Sequence, residues 1–432
     1  MTAGPPGIAA PGWRYALAFA VYGYQGLVAG FALTALPNHY AAHGAPIAEI
    51  GWYTALLGLP WMVQPLWGPM VDRLGDFRMG RRRFWVVLAM AGALASLGLL
   101  LLLAGMAEPA PLPLIGQVML VHGACASLLD TALDAMMIDR VPVAKLGRVN
   151  ACTRAGFVSG TALGAILFAW LLPQSGLGTA AAVLLALGAG AAALPLLVRE
   201  SGEDAWLSLR RRDRAPGAAR PAGHAALLLA ALRERGSLAL IAYCVAQEFA
   251  GAMVGLRLSV AMVQGGGWTA PALSQLQGAA TFVAGTAGAL SVGWWADRAG
   301  PRRVLAILLG LCAAAHLAMA AVLHGTGGEA GGAGAAALVV LNTGLPALSF
   351  VALAPAVMDV SRGSAAATRF ALFMAALNSG GVLGAMVAGR LGTAVSLPVI
   401  ALAAGAIFAA CAVLARSPLL FRRVASERSR GA

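Results

Sequence analysis

Two related stretches decide the architecture of this chain: GPMVDRLG at 68–75 and GWWADRAG at 293–300. Both have the pattern Gly-x-x-x-Asp-Arg-x-Gly, both end a long apolar run, and both precede further arginines. Other residues repeat at offsets of 220 or 221 positions: Asp139 with Asp359, Arg148 with Arg369, Gly160 with Gly381 and Gly164 with Gly384. Because unrelated positions repeat at nearly one offset, we predict that the chain consists of two copies of one unit.

The composition is that of a membrane protein. Of 432 residues, 60% are hydrophobic and only 11% are charged, with a mean hydropathy of +0.79. A soluble chain of this length needs far more charge on its surface. Apolar runs of about 20 residues, each able to cross a hydrocarbon core as a helix, can be counted twelve times, near 13–36, 47–70, 82–105, 113–138, 147–172, 178–198, 237–263, 271–296, 302–324, 335–358, 366–392 and 395–416. With the duplication, this predicts an all-α integral membrane protein whose twelve transmembrane helices form two pseudo-symmetric six-helix bundles.

The loops give the orientation. Arginine clusters follow the even-numbered runs, while the loops at the opposite ends carry no Lys or Arg. By the positive-inside rule both termini are cytoplasmic, here at a bacterial inner membrane. The predicted domains are an N-terminal six-helix bundle (1–198), a basic cytoplasmic linker (199–236), a C-terminal six-helix bundle (237–416) and a cytoplasmic tail (417–432). The net charge of +13 lies in these loop clusters without a nucleic-acid motif, so nucleic acid is not a predicted partner.

The paired Gly-x-x-x-Asp-Arg-x-Gly motif, placed after the second and eighth runs, resembles the cytoplasmic signature of the major facilitator superfamily. The resemblance implies transport of one solute by alternating access, with the motif closing the cytoplasmic side. It implies that Arg73 pairs with Asp139 and that Arg298 pairs with Asp359. The gating residues it implies are Gly68, Asp72, Arg73, Asp139, Arg148, Gly293, Asp297, Arg298, Asp359 and Arg369.

The fourth run carries a more specific pattern. Asp130, Asp134 and Asp139 form the sequence D-x-x-x-D-A-x-x-x-x-D, and the first motif is followed by the extra residues DFRM. Together they resemble the AmpG-like branch, which contains muropeptide permeases and rhizobactin- and pyochelin-type siderophore importers. The resemblance implies proton-coupled import of a siderophore, with an anhydro-muropeptide as the alternative. The fifth run lacks the proline typical of drug exporters; export and a non-transporting membrane sensor remain alternatives.

Charged residues inside the runs are candidates for the site, because each costs at least about 2.5 kcal/mol to insert. Asp130 and Asp134 share one helix face, and Arg154 is expected at a similar depth on the next helix. Their pairing is compatible with a structural role or with coupling to substrate and protons. Glu248 is expected near the midplane, where it could carry a proton. Arg257 falls on the opposite face of the same helix, towards an anionic substrate or another acid.

Polar neighbours complete the candidate site. They are Tyr22 and Gln25 in the first run, Gln64 in the second, Gln247 beside Glu248, and Asn378 in the eleventh. Five cysteines and six histidines are scattered without metal-ligand spacing, and no nucleophile and base are paired. We therefore predict no metal site, no cofactor and no enzymatic activity. The predicted partners are a small-molecule solute, protons and membrane lipids, and the predicted state is a monomer.

Overall fold

The computed structural model describes residues 7–74, 77–106, 109–211, 229, 232–233, 236–325, 332–361, 366–417 and 420. The regular elements in these ranges are helices, which confirms the predicted fold class. Proline lies at or directly before the start of several helices. Its missing N–H leaves no donor unpaired in the first turn. Pro11 opens the first helix, and Pro111 and Pro142 directly precede two others.

The helices follow one another with short connections, and we number them in chain order. They are α1 (Pro11–Gly30), a π-helical turn (Phe31–Ala35), α2 (Leu36–Ala42), α3 (Ile47–Met62), a 3-10 turn (Gln64–Leu66), α4 (Trp67–Arg73), α5 (Arg83–Ala104), α6 (Leu112–Arg140), α7 (Val143–Leu197), α8 (Ser237–Gln264), α9 (Ala270–Val283), a second π-helical turn (Ala284–Gly288), α10 (Ala289–Ala299), α11 (Pro301–Gly325), α12 (Gly332–Val360), α13 (Ala366–Leu391) and α14 (Leu397–Ala415).

Nine helices in the described ranges are long and apolar enough to cross a membrane. The difference from twelve has a local cause at three places. The second run is interrupted at Gln64–Leu66 and the eighth at Ala284–Gly288. The fifth and sixth runs form the single helix α7, which is kinked at Gly176, where the backbone has φ 71° and ψ 177°. The count of twelve spans stays a prediction.

The described residues group into two compact units. The first contains described residues of Met1–His43, Leu66–Pro221 and Ala270–Phe282; the second contains those of Gly44–Pro65, Ala222–Thr269 and Val283–Ala432. Two segments therefore pack with helices from the other half of the sequence: Gly44–Pro65 belongs to the second unit, and Ala270–Phe282 belongs to the first. Grouping by contact differs from grouping by topology, so the predicted bundles (1–198 and 237–416), linker (199–236) and tail (417–432) stay predictions. Much of the linker and most of the tail lie outside the described residues.

Glycine allows the same close helix contact in each unit. In the first unit, a Cβ atom added to Gly160 of α7 would lie 2.1 Å from the carbonyl oxygen of Gly23 of α1. In the second unit, a Cβ atom on Gly380 of α13 would lie 2.3 Å from the carbonyl oxygen of Val245 of α8. Both helix pairs therefore pack backbone against backbone. The sequence alignment of Gly160 with Gly381 was wrong by one residue, because the contacting glycine is Gly380.

Candidate functional site

The two predicted membrane acids of the first half lie close to one tyrosine. Tyr22 of α1 donates its hydroxyl to Asp134 Oδ1 at 2.7 Å, and Asp130, one turn earlier on α6, is near enough to act electrostatically on the same hydroxyl. The two acids lie about 9 and 15 Å along α6 from its end at Arg140. Asp134 is nevertheless exposed and Asp130 is half-buried. Charged groups at such depth face a bundle interior or a water-filled cavity, which makes this cluster the candidate site.

Two other predicted residues lie on α1 and on its neighbour α7. Gln25, one turn after Tyr22, is only 6% exposed, and its Nε2 atom has no hydrogen-bond partner among the described residues. Arg154 of α7 is exposed. The pairing of Arg154 with Asp130 stays a prediction.

The second unit places its candidate acid on α8. Glu248 is half-buried and follows Gln247 directly, whose Nε2 and Oε1 atoms have no hydrogen-bond partner among the described residues. Helix α13 approaches at this point, because a Cβ atom on Gly380 would lie 3.0 Å from the Glu248 Cβ. Gln247 itself is 1% exposed. The acid is thus held where two helix backbones meet.

The other predicted residues of the second unit are more dispersed. Arg257 is buried, and its Nη2 atom donates to the carbonyl oxygen of Val395 at 3.2 Å, between α13 and α14. This contact gives Arg257 a structural role, and a substrate contact stays a prediction. Gln64, in the 3-10 turn, and Asn378, on α13, are both half-buried.

The first cytoplasmic motif forms a charge network through a different arginine from the expected one. Arg82 contacts Asp72 Oδ1 through Nη1 at 2.5 Å and Asp139 Oδ2 through Nε at 3.0 Å. Burial lowers the pKa of Arg82, but hydrogen bonds to Asp139 and Asp72 outweigh it and raise the pKa above its ordinary value. Arg82 therefore stays charged between two carboxylates. The expected partner of Asp139 was Arg73, whose side chain lies outside the description.

The second motif has more exposed contacts. Arg298 lies over the ring of Trp294 at 3.8 Å and donates to the Trp294 carbonyl oxygen at 3.2 Å, both within α10. Asp297 is exposed, and Asp359 at the end of α12 is half-buried. The pairing of Arg298 with Asp359 stays a prediction.

The remaining gating residues differ in exposure and packing. Arg148 is exposed and Arg369 is buried. A Cβ atom added at Gly68 or at Gly293 would meet no described atom within 4 Å. The gating role of these two glycines stays a prediction.

The sequence profile described as Major Facilitator Superfamily matches residues 17–269, more than half of the chain. The chain belongs to the major facilitator superfamily. Two crystal structures of the nucleoside transporter NupG, one of a single-residue mutant, have the same fold. The mutant has a TM-score of 0.65 and 14% identity, covering 93% of this chain and 98% of its own. The other has a TM-score of 0.65 and 13% identity, covering 95% and 100%.

Membership of the superfamily makes this protein a multi-pass membrane transporter of a small-molecule solute rather than an enzyme. At 13–14% identity the likeness to NupG shows the fold alone. The resemblance to the AmpG-like branch rests on the sequence motif alone.

Sequence analysis missed one buried acid of this superfamily member. Glu200, 4% exposed, follows α7 in the predicted linker. Its Oε2 atom accepts the backbone N–H groups of Arg82 and Arg83 at 2.8 and 3.0 Å. Its Oε1 atom accepts from Arg140 at 3.3 Å. Glu200 therefore binds the first turn of α5, where unpaired N–H groups and the helix dipole favour a carboxylate. An acid directly after a membrane helix was the signal available in the sequence.

A second missed residue is Arg83, which is fully buried. All of its described side-chain bonds go to backbone carbonyl oxygens: Nε to Pro195 at 2.9 Å, Nη2 to Leu196 at 2.5 Å, and Nη1 to Met79 and Ala205 at 3.3 Å. Arg83 thus ties the start of α5 to the end of α7. A guanidinium group with five donors suits such a junction.

The start of the linker packs on the loop before α5. The backbone N–H of Ala205 donates to the Arg78 carbonyl oxygen at 2.9 Å, and the Arg78 N–H donates to the Arg210 carbonyl oxygen at 2.9 Å. Trp206 donates its indole N–H to the Leu196 carbonyl oxygen at 2.8 Å. We call the segments 77–83 and 199–211 the cytoplasmic platform. In this part the linker is an ordered extension of the first unit.

At the other end of the first unit, an amide joins two distant segments. Asn38 of α2, 3% exposed, donates through Nδ2 to Ser274 Oγ and to Gln277 Oε1 of α9, both at 2.8 Å. Helix α9 also packs on α7, because a Cβ atom on Gly278 would lie 3.1 Å from the Ala162 carbonyl oxygen. We call the Asn38, Ser274 and Gln277 contact the outer clasp, since the predicted topology puts it on the non-cytoplasmic side.

Proposed function

We propose that this protein imports a solute into the bacterial cytoplasm by alternating access, coupled to protons through Tyr22, Asp130 and Asp134. The hydrogen bond from the Tyr22 hydroxyl to Asp134, with Asp130 one turn away on the same helix, carries the proposal. The inner membrane, cytoplasmic termini and a monomeric state are part of it. The arginine-rich loops of the sequence support the cytoplasmic position of the termini.

The coupling argument rests on hydrogen-bond accounting. A phenol hydroxyl has one hydrogen and donates to one acceptor at a time. When that hydrogen goes to Asp134, as the 2.7 Å bond indicates, Asp130 needs another proton or a water to bond with the same oxygen. Two carboxylates on one helix face also repel each other when both are ionised. Binding of one proton therefore allows both carboxyl groups to form a hydrogen bond with the Tyr22 oxygen. Release of that proton restores the negative charge on the second carboxylate.

Glu248 is a second candidate for proton transfer. It lies on α8 beside Gln247, at the close contact with α13. A change in the α8 and α13 packing would alter what the carboxyl group contacts. This offers a second physical link between proton binding and helix movement.

The proposed substrate is a ferric siderophore or a similar amphipathic chelate, with an anhydro-muropeptide as the alternative. The support is the resemblance of Asp130, Asp134 and Asp139 to the AmpG-like pattern. A nucleoside is included as a third test substrate because NupG is a nucleoside transporter of the same fold. Export stays an alternative, disfavoured by the absence of proline between 143 and 172 of the sequence.

The test is uptake into proteoliposomes with and without an inwardly directed proton gradient. Labelled ferric siderophore, anhydro-muropeptide and nucleoside are compared in parallel. A gradient of one pH unit sustains at most about tenfold accumulation for each coupled proton, since tenfold corresponds to about 1.4 kcal/mol. We expect one solute to accumulate, and the accumulation to disappear when an ionophore collapses the gradient.

Variants locate the coupling. Asp134→Asn should keep exchange of labelled for unlabelled solute but reduce gradient-driven accumulation to a ratio near one. Tyr22→Phe should weaken coupling in the same direction. The matched controls are Glu203→Gln, an exposed acid of the linker, and Tyr15→Phe, a half-buried tyrosine of α1. Full accumulation by Asp134→Asn would refute the proposed coupling site, and accumulation without any gradient dependence would refute symport.

A further inference from the structure

The cytoplasmic platform exposes apolar side chains where no membrane span accounts for them. Trp206 is 56% exposed, Leu207 62% and Leu209 79%. They follow α7, which ends at Leu197, and so belong to the chain beyond the membrane-crossing helix. The three side chains need an apolar partner outside the described residues.

Their position is fixed by backbone contacts. The indole N–H of Trp206 donates to the carbonyl oxygen of Leu196, in the last turn of α7. The backbone bonds of Arg78 with Ala205 and Arg210 hold the segment on both sides of the tryptophan. Trp206 is therefore kept beside the end of α7, where the predicted topology places the cytoplasmic headgroup region. Tryptophan favours this depth, because its ring is apolar and its N–H is polar.

The polar side chains of the same platform are mainly cationic. Arg78, Arg81, Arg210 and Arg211 are exposed. Within 77–83 and 199–211 the one exposed carboxylate is Glu203, since Glu200 and Asp204 are buried. Arg81 also lies 3.7 Å from Asp72, while keeping about half of its side chain exposed. Arg211 lies 5.6 Å from the ring of Phe77, which positions its charge beside the loop.

We infer that the cytoplasmic platform is a binding site for anionic phospholipid. Trp206, Leu207 and Leu209 contact the upper acyl chains, and the exposed arginines bind the phosphate and headgroup oxygens. Charge complementarity selects this partner, since a zwitterionic surface offers the apolar contact without the attraction for four guanidinium groups. The site is independent of the proposed coupling cluster, because it lies on the linker and the loop before α5.

The experiment measures quenching of tryptophan fluorescence by brominated lipids. The full chain is reconstituted in nanodiscs of phosphatidylcholine containing phosphatidylglycerol, with bromine on the acyl chains of one lipid or the other. Trp206→Phe identifies the contribution of this residue by difference. We expect Trp206 to be quenched more by brominated phosphatidylglycerol than by brominated phosphatidylcholine at the same mole fraction. The preference should decrease at high salt, because exposed charges are screened.

Variants of the arginines decide the mechanism. Arg210→Ala should lower the preference for phosphatidylglycerol at Trp206 about fivefold, the effect of one basic residue near an anionic surface. Arg210→Lys keeps the charge and should keep most of the preference. Trp52→Phe, an exposed tryptophan of α3, is the control for loss of one fluorophore. Equal quenching by the two lipids, or a preference unchanged in Arg210→Ala, would overturn the inference.

Discussion

Gly380→Ala should destabilise this transporter, whereas Gly381→Ala, one residue further along the same helix, should not. At Gly380 the added Cβ would lie 2.3 Å from the Val245 carbonyl oxygen and 3.0 Å from the Glu248 Cβ. At Gly381 it would meet no described atom within 4 Å. The two variants make the same chemical change in α13, so that their difference isolates the helix contact.

The magnitude follows from these distances. An ordinary carbon to oxygen contact needs roughly 1 Å more than 2.3 Å, so α8 and α13 have to move apart by about that amount. Overpacking of this kind costs about 1–3 kcal/mol, and a rigid backbone atom favours the upper end. Alanine returns up to about 1 kcal/mol of helix propensity at both positions. The net loss for Gly380→Ala is about 2 kcal/mol, and the two variants should differ by about 3 kcal/mol.

The assay is reversible unfolding of both variants in detergent, with denaturant midpoints compared at one temperature. Uptake measured in parallel should fall in Gly380→Ala even where folding is retained, since the contact includes Glu248. Equal stability of the two variants would refute the backbone contact. Equal stability with lost uptake in Gly380→Ala alone would show that the two helices are already apart in the resting protein.

Two further predictions concern the ends of the first unit. Glu200→Ala should cost about 2–3 kcal/mol, because two backbone N–H groups lose their buried acceptor while the exposed Arg140 is left to water, whereas Glu203→Ala should change the unfolding free energy by no more than about 0.5 kcal/mol. Equal unfolding free energies for the two variants would contradict the role of Glu200. Asn38→Ala should weaken the outer clasp by about 1–3 kcal/mol for two lost bonds, seen as faster hydrogen exchange at 36–42 and 270–282. Unchanged exchange there, or the same increase in Asn150→Ala, would argue against the clasp.

The sequence supported the fold well because the fold depends on properties that are local in sequence. Long apolar runs, their arginine-rich ends and the repeated motif are visible without any knowledge of contacts. The meeting of Tyr22 with Asp134 was less accessible: each was a candidate, but their contact joins α1 to α6 across 112 positions. Helix spacing shows which residues share a face and not which neighbouring face they meet.

The contacts of three consecutive arginines were not predictable for a physical reason. Arg81, Arg82 and Arg83 are adjacent and chemically identical, yet the structure exposes the first, pairs the second with two acids and buries the third. They lie where a turn passes into α5, which begins at Arg83, so neighbouring side chains point in different directions. Glu200 was missed because it lies in a polar segment that composition alone classifies as a solvated linker.

The position of Glu200 determines where this transporter can be divided into separately produced halves. A break after Val198 would remove Glu200 from the fragment containing α5 and expose the N–H groups of Arg82 and Arg83. A break after Arg211 would leave every described bond of the cytoplasmic platform within one fragment. Co-expressed fragments should therefore reassemble into an active carrier when cut after Arg211, and poorly when cut thirteen residues earlier.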